Sequence, residues 1–181
     1  LLRLRELQGG RGLSVIFVTH DIGAALEVAD RIAVMDQGHI IQMDRPLEIY
    51  RHPKSRFVAG FVGESNMIQA EVLERRGDLV TLRSPSGHVC HADSRNVPAS
   101  GTVTVLIRPE RMALHETPAP GTAPATVTSA LFMGETLRIG AVMEGGETLL
   151  IRCPDTATNH LPEPGSRIHV GWGPQDCWVL A

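Results

Sequence analysis

His20 is the residue with the clearest capacity for chemistry, because of what precedes it. It follows the short apolar run Val15-Ile16-Phe17-Val18 and lies in the triplet Thr19-His20-Asp21. An apolar run without alternation is typical of a strand buried on both faces in a parallel sheet. The carboxyl ends of such strands are where open α/β sheets bind ligands. An imidazole there can donate one N–H to a ligand while the protein holds its other nitrogen. The simpler alternative is a histidine that only hydrogen-bonds at a strand end.

Three other groups of residues could carry chemistry, and each has a simpler structural interpretation. His88-Val89-Cys90-His91 contains metal-ligand types but has no second ligand pair at a usual spacing, so we favour a turn that leads into a strand. Arg108, in an Arg-Pro-Glu triplet, could bind an anion or brace the fold. Trp172 and Trp178 are an even number of positions apart, which places them on one side of an alternating strand. That pattern favours a barrel core over a stacking platform.

The elements around His20 predict the edge of an α/β domain. Asp21 would cap the helix after it, and Pro46 would begin a later one. The predicted elements are the end of a helix at 1–8, a strand at 15–18, a helix at about 22–30, strands at 31–35 and 40–43 joined by a turn at 36–39, and helices at about 46–52 and 55–62.

From residue 65 the pattern changes to short β-like runs separated by turn residues. Their spacing, without helical periodicity, predicts a small barrel or sandwich, and a Pro-rich connector at 117–124 divides it into two parts of similar size. Alternating apolar positions would line its interior: Val103, Val105, Ile107, Ile168, Val170 and Trp172. The sequence therefore predicts an α/β piece at 1–64 followed by an all-β domain at 65–181.

The stretch from residue 15 to residue 64 closely resembles the ATP-binding subunits of ABC importers. VIFVTHD, ADRIAVMDQGHIIQMDRPLEIYRHP and RFVAGFVGESN follow that family's order of apolar strand, Thr-His-Asp switch, short helix, Asp-Arg-Ile strand, hairpin and Pro-Glu-Ile-Tyr helix. Farther on, VTVLIRPERMAL resembles the Arg-Pro-Glu motif of the family's carboxyl-terminal TOBE region, where the motif is structural. ALFMGETLR and GWGPQDCWVL also fit its pattern. The version closest to these residues is the spermidine/putrescine type. For the all-β domain at 65–181, the family resemblance implies an OB-like barrel.

The resemblance implies a catalytic role for His20. In the family the switch histidine contacts the γ-phosphate of ATP and the attacking water, a task of positioning and charge stabilisation. The resemblance also implies ATP and Mg²⁺ as cofactors of the complete protein, a homodimer, permease partners in the membrane and a solute-binding protein. It places the subunit in the cytoplasm, on the inner face of the cell membrane. Ile22-Gly23-Ala24 departs from the polar residues usual after His-Asp, and Gly23 weakens the helix start by up to about 1 kcal/mol.

Three parts of such an ATPase site are missing from the 181 residues. They are the G-x-x-x-x-G-K-[ST] loop, an LSGGQ-type signature and an apolar strand that ends in Asp-Glu. In the family all three precede the switch histidine. We therefore expect this chain to be the carboxyl-terminal part of a longer subunit. It would hold one piece of the ATPase site and bind neither ATP nor Mg²⁺ by itself.

Composition and charge exclude several other classes. The net charge is −3, and residues 65–181 carry nine basic and twelve acidic side chains, which disfavours nucleic acid as a partner. No apolar run approaches the roughly 18 residues of a membrane span. Three widely spaced cysteines suit a reducing compartment better than a disulfide framework. A non-enzymatic, OB-like module that binds a small ligand or oxyanion stays open as the alternative function.

Overall fold

A computed structural model describes residues 13–94, 97–158 and 160–180. The helix end predicted at 1–8 lies outside these residues. The chain divides into two compact units, an amino-terminal unit (Leu1–Gly63) and a β unit (Glu64–Ala181). None of the helices that the structure describes has the length and apolarity that crossing a bilayer requires.

The amino-terminal unit consists of a β-hairpin and short helices around a small apolar core. Its hairpin turns through Gln37 and Gly38, whose φ angles of 46° and 81° both lie in the left-handed region, as a two-residue turn that matches strand twist requires. The core is formed by Ile32, Val34, Ile49, Val58 and Val62. The described elements are α1 (Ile22–Val28), β1 (Ile32–Asp36), β2 (His39–Asp44), α2 (Pro46–Arg51) and α3 (Arg56–Val62).

The strand predicted at 15–18 does not form, which corrects that expectation. Within the described part of the unit, strand pairing is confined to β1 with β2. Ile16 and Val18 are 93% and 90% exposed. A buried parallel strand needs neighbours on both edges and cover on both faces, and the described residues supply neither to this segment. The turn at 36–39 and the two later helices, by contrast, are confirmed.

The first sheet of the β unit is completed by a strand from far along the chain. Its order is β12-β6-β3-β4-β5, with every described pair antiparallel. Because Asn66 and Cys177 both pair with Ile107, β6 lies between the first strand and the last. The strands are β3 (Asn66–Arg76), β4 (Leu79–Arg83), β5 (Val89–Asp93), β6 (Thr102–Ile107) and β12 (Cys177–Leu180).

The second sheet is formed by the residues between β6 and β12. Its order is β10-β9-β8-β11-β7, and the outer strands β10 and β7 contact each other as the sheet curls. Short 3₁₀ turns lie at Pro109–Arg111, Asp155–Ala157 and Pro174–Asp176. The strands are β7 (Ala113–His115), β8 (Thr122–Phe132), β9 (Thr136–Met143), β10 (Thr148–Pro154) and β11 (Arg167–Gly171).

Both sheets share one apolar core, and strand alternation explains most of it. On β9, every second residue from Leu137 to Met143 is buried. The interior positions predicted on β6, Val103, Val105 and Ile107, lie in this core, and Thr104 and Leu106 on its other face are buried as well. One expectation needs correction. Trp172 and Trp178 do not share a strand, since a 3₁₀ turn separates β11 from β12, and both are only half-buried.

Candidate functional site

His20 lies in an ordered turn directly before α1. The backbone N–H of Asp21 donates to Oγ1 of Thr19 at 2.9 Å, and Oδ1 of Asp21 accepts from the N–H of Ala24 at 3.0 Å. Asp21 is thus the N-cap of the helix. His20 between these two anchors is exposed. The turn therefore presents the imidazole to solvent on a backbone that is fixed on both sides.

Gly23 has low helix propensity, but the absence of a side chain at this position is important for the helix cap. A Cβ added at this position would lie 3.3 Å from Oδ1 of Asp21, closer than most real Cβ contacts. The absence of a side chain leaves the capping carboxylate its place. Gly23 in place of the family's usual polar residue therefore lowers the helix propensity of this turn, but it leaves room for the Asp21 carboxylate that caps the helix.

A second fixed turn, between α2 and α3, depends on Gln42, which sequence reasoning missed. Gln42 is buried on β2, where its Nε2 donates to the carbonyl of His52 at 3.2 Å and its Oε1 accepts from the N–H of Lys54 at 2.8 Å. Nδ1 of His52 lies 2.7 Å from Oε2 of Glu48. A glutamine within an apolar run was the available signal, because a buried amide must find partners.

Arg108 braces the fold, as the resemblance implies. Its side chain is 4% exposed, and Nη1 donates to the carbonyl of Glu64 at 3.1 Å and to Oγ of Ser65 at 2.6 Å. The Glu64 carboxylate also accepts from Arg138 and Arg152 at 2.8 and 2.7 Å. The hydrogen bond from Arg138 is the main reason that the pKa of Glu64 lies below its usual value. These contacts hold the start of the β unit against its second sheet.

Asn66 joins the two sheets through one backbone position. Its Nδ2 donates to the carbonyl of Leu150 at 2.8 Å, and its Oδ1 accepts from the N–H of Leu150 at 2.7 Å. Nδ2 also lies 3.1 Å from Sδ of Met112. Asn66 is 3% exposed, and its side-chain amide pairs with the Leu150 backbone in the way that a neighbouring strand would.

The β4–β5 turn is held to the β9–β10 turn by Glu147. Oε1 of Glu147 accepts from the N–H of Ser86 at 2.9 Å, while the hydroxyl oxygens of Ser84 and Ser86 lie 2.6 Å apart. Burial pushes the pKa of Glu147 upward, but the hydrogen bonds from Ser86 and its neighbours outweigh that effect and hold it below its usual value. A Cβ at Gly145 would lie 2.4 Å from the N–H nitrogen of Ser86, so this contact needs glycine there.

The motif His88-Val89-Cys90-His91 is divided between two environments. The ring of His91 lies near Thr81, with Nδ1 and Oγ1 3.3 Å apart, at the surface. The ring of His88 packs edge-on against Trp172, with centroids 4.9 Å apart. Burial lowers the pKa of His88. Across the described ranges, no three His, Cys, Asp or Glu side chains are grouped as a metal site requires.

Sequence comparison relates this chain to transport ATPase subunits. The family model described as "TOBE domain" matches residues 105–180. The spermidine/putrescine import ATP-binding protein PotA 1 of Pseudomonas aeruginosa is 41% identical over 153 residues, covering 84% of this chain and 41% of that protein. The corresponding PotA of Ruegeria pomeroyi is 37% identical over 182 residues, covering 99% of this chain and 49% of that protein. The chain thus spans less than half the length of either relative.

Comparison of structures supports the fold. The molybdate-binding protein ModG superimposes with a TM-score of 0.56 at 13% identity, over 64% of this chain and 95% of that one. At that identity the likeness shows the fold alone. An α/β piece followed by an OB-like β region, predicted above, is confirmed. By its sequence, the chain corresponds to the carboxyl-terminal part of the ATP-binding subunits of PotA-type ABC importers, and it carries their TOBE domain.

Proposed function

We propose that this chain is the carboxyl-terminal part of a subunit that couples ATP hydrolysis to solute uptake, with polyamines as the solute class. The observation that carries the proposal is the match to a spermidine/putrescine import ATP-binding protein over 99% of the chain. In this proposal residues 1–64 belong to the nucleotide-binding domain. Residues 65–181 form a TOBE-type regulatory domain that contributes to a homodimer.

His20 is the proposed catalytic residue. Its exposed imidazole lies on a turn held by Thr19 and Asp21, where it can donate to a phosphate oxygen. In the complete subunit, ATP and Mg²⁺ would be held by residues outside this chain. His20 would add a hydrogen-bond donor that is positioned to stabilise the transition state of phosphoryl transfer.

The proposed partners follow from the same assignment. The subunit would dock on permease subunits at the cytoplasmic face of the cell membrane. A solute-binding protein on the other side would deliver the polyamine. Nucleic acid is not among the proposed partners, because acidic side chains outnumber basic ones in residues 65–181.

Uptake of labelled putrescine and spermidine tests the proposed function. The full-length reading frame, expressed with its neighbouring permease genes, should restore polyamine uptake to a bacterium that lacks its own importers. A Walker-lysine variant of the same subunit serves as the control. Uptake that is absent with the complete system, or independent of ATP hydrolysis, would contradict the proposal.

We predict that the 181-residue chain alone binds Mg-ATP no more tightly than millimolar. A phosphate-binding loop supplies most contacts to the nucleotide, and this sequence has none. Isothermal titration calorimetry measures the affinity directly. Micromolar binding would refute the prediction. A parallel titration with molybdate tests the alternative of an oxyanion-binding module, which the fold likeness alone does not establish.

We predict that residues 65–181 fold without the preceding segment and form a dimer. The apolar core described for this region draws on both of its sheets and on no residue before Ile68. Limited proteolysis of the chain should leave a protected fragment that begins near residue 65. Light scattering should give it twice the monomer mass, because the resembled ATPases work as two-fold pairs and such a contact needs only one self-complementary patch. Cleavage spread evenly through 65–181 would refute the folding, and a monomer mass would refute the dimer.

A further inference from the structure

The first sheet of the β unit closes on itself at a seam between its two outer strands. β5 and β12 lie at opposite ends of the strand order and yet contact each other. In the parts of the chain that the structure describes, β5 forms a backbone ladder with β4, and β12 forms one with β6, but the two form none with each other. Side chains therefore hold this seam together.

Two of the three cysteines meet at the seam. Cys90 lies on β5, and Cys177 is the first residue of β12, directly after the 3₁₀ turn Pro174–Asp176. Because β5 contacts both that turn and β12, Cys177 lies against the strand that carries Cys90. Cys177 is buried at 5% exposure, whereas Cys90 is half-buried at the rim of the core. The pair thus has one thiol that a small reagent can approach and one that only its neighbour can reach.

Trp172 completes the surroundings of the pair. Its indole N–H is buried and has no hydrogen-bond acceptor among the described residues. Trp172 and Cys90 both pack against the core cluster that contains Cys177. The ring of His88, two positions before Cys90, packs edge-on against Trp172 at an interplanar angle of 69°. A buried donor without an acceptor is costly in the resting state, and a thiolate would satisfy it.

The two thiols differ in how far a reagent in solution can reach them. Cys90 is half-buried, whereas Cys177 is buried. The interaction with Cys177 lowers the pKa of Cys90, against an opposing effect of burial. Cys153 lies on β10, in the second sheet, and burial raises its pKa. An accessible thiol beside a buried one is the arrangement of an attacking and a resolving cysteine.

We propose that Cys90 and Cys177 form a peroxide-oxidisable dithiol whose disulfide covalently closes the seam between β5 and β12. The oxidant is hydrogen peroxide or an organic hydroperoxide. The site is a modification site of the β unit and is independent of the ATPase assignment. In a reducing compartment, protein disulfides are usually transient: the two thiols are reduced at rest and form the bond when an oxidant is present.

The reaction balances in two steps. The Cys90 thiolate attacks one peroxide oxygen, the O–O bond breaks, and the departing hydroxide takes up a proton to leave as water, which gives a sulfenic acid at Cys90. The Cys177 sulfur then attacks that sulfur, the S–O bond breaks, and hydroxide leaves with the Cys177 proton as a second water. Two thiols and one peroxide thus give one disulfide and two waters.

Mass spectrometry of the oxidised 181-residue chain tests the proposal. The reduced chain is treated with a small excess of hydrogen peroxide, blocked with an alkylating agent and digested. We expect a Cys90–Cys177 cross-linked peptide, a loss of two hydrogen atoms from the chain, and alkylation confined to Cys153. The oxidised chain should also melt at a temperature higher by roughly 5–15 °C, reversibly with dithiothreitol, since the cross-link constrains a long loop of the unfolded chain.

Three serine variants separate the roles of the three cysteines. Cys177→Ser should accumulate a sulfenic acid at Cys90 that dimedone traps, and Cys90→Ser should slow thiol loss at least about tenfold. Cys153→Ser, the matched control for a buried cysteine, should oxidise like the unaltered chain. Oxidation of all three thiols at one common rate, or a disulfide that contains Cys153 or joins two chains, would overturn the proposal. The peptide map of the unaltered chain decides the matter even where a variant fails to fold.

Discussion

Replacing His20 with alanine in the complete subunit should lower ATP turnover about 100- to 1,000-fold and leave nucleotide affinity nearly unchanged. A donor that acts mainly in the transition state contributes to kcat and little to ground-state binding. The turn itself should survive, because Thr19 and Asp21 hold it through backbone and cap contacts that do not involve the imidazole.

The measurement is steady-state ATPase activity of the transporter reconstituted with its permease, beside fluorescent-nucleotide binding. His39→Ala is the matched control, since His39 is another exposed histidine of the same unit, at the start of β2. Equal turnover in the His20 and His39 variants would show that His20 is structural. A large loss of nucleotide affinity would instead indicate a ground-state contact.

Replacing Asn66 with alanine should reduce the free energy of unfolding of the β unit by about 2–4 kcal/mol. The substitution leaves both the N–H and the carbonyl of Leu150 without their partner, and each buried polar group left unpaired costs about 1–3 kcal/mol. It also removes the amide that joins the first sheet to the second. The expected loss is a large part of the stability of a domain of this size.

Urea unfolding followed by tryptophan fluorescence measures this change selectively, since the chain's two tryptophans, Trp172 and Trp178, both lie in the β unit. Gln69→Ala is the control. Gln69 lies on the same strand and makes one side-chain hydrogen bond, to Thr104 at 2.9 Å, from an exposed position. It should cost about 0.5–1.5 kcal/mol. Similar losses in the two variants would contradict the sheet-joining role of Asn66.

Sequence reasoning succeeded where the determinants are local. The Asp36–His39 turn carries its own signal in Gly38, and the short β runs after residue 65 are bounded by turn residues. It failed at 15–18, because an apolar run predicts a buried strand only where other strands are present to pair with it.

The contacts that matter most in the β unit were not readable from the sequence. Asn66 meets Leu150 because two curled sheets share a core, and Cys177 lies against the strand of Cys90 because the first sheet closes on itself. No spacing rule connects residues so far apart. The odd number and wide spacing of the cysteines argued against pairing, while the closure of the first sheet brings the strands of Cys90 and Cys177 into contact. The signal that could have been used for Asn66 was a polar residue at the inward end of an alternating strand.

The late position of β12 in the chain bears on how the β unit folds. β6 is synthesised early, yet one of its two partners follows only after the whole second sheet. Until β12 docks, β6 keeps an open edge on which another copy could add a strand. If the second sheet folds first, it draws Ile107 and Cys177 together and shortens the loop that must close. We therefore expect refolding in two kinetic phases, the slower one being the docking of β12, and aggregation that is most severe between them.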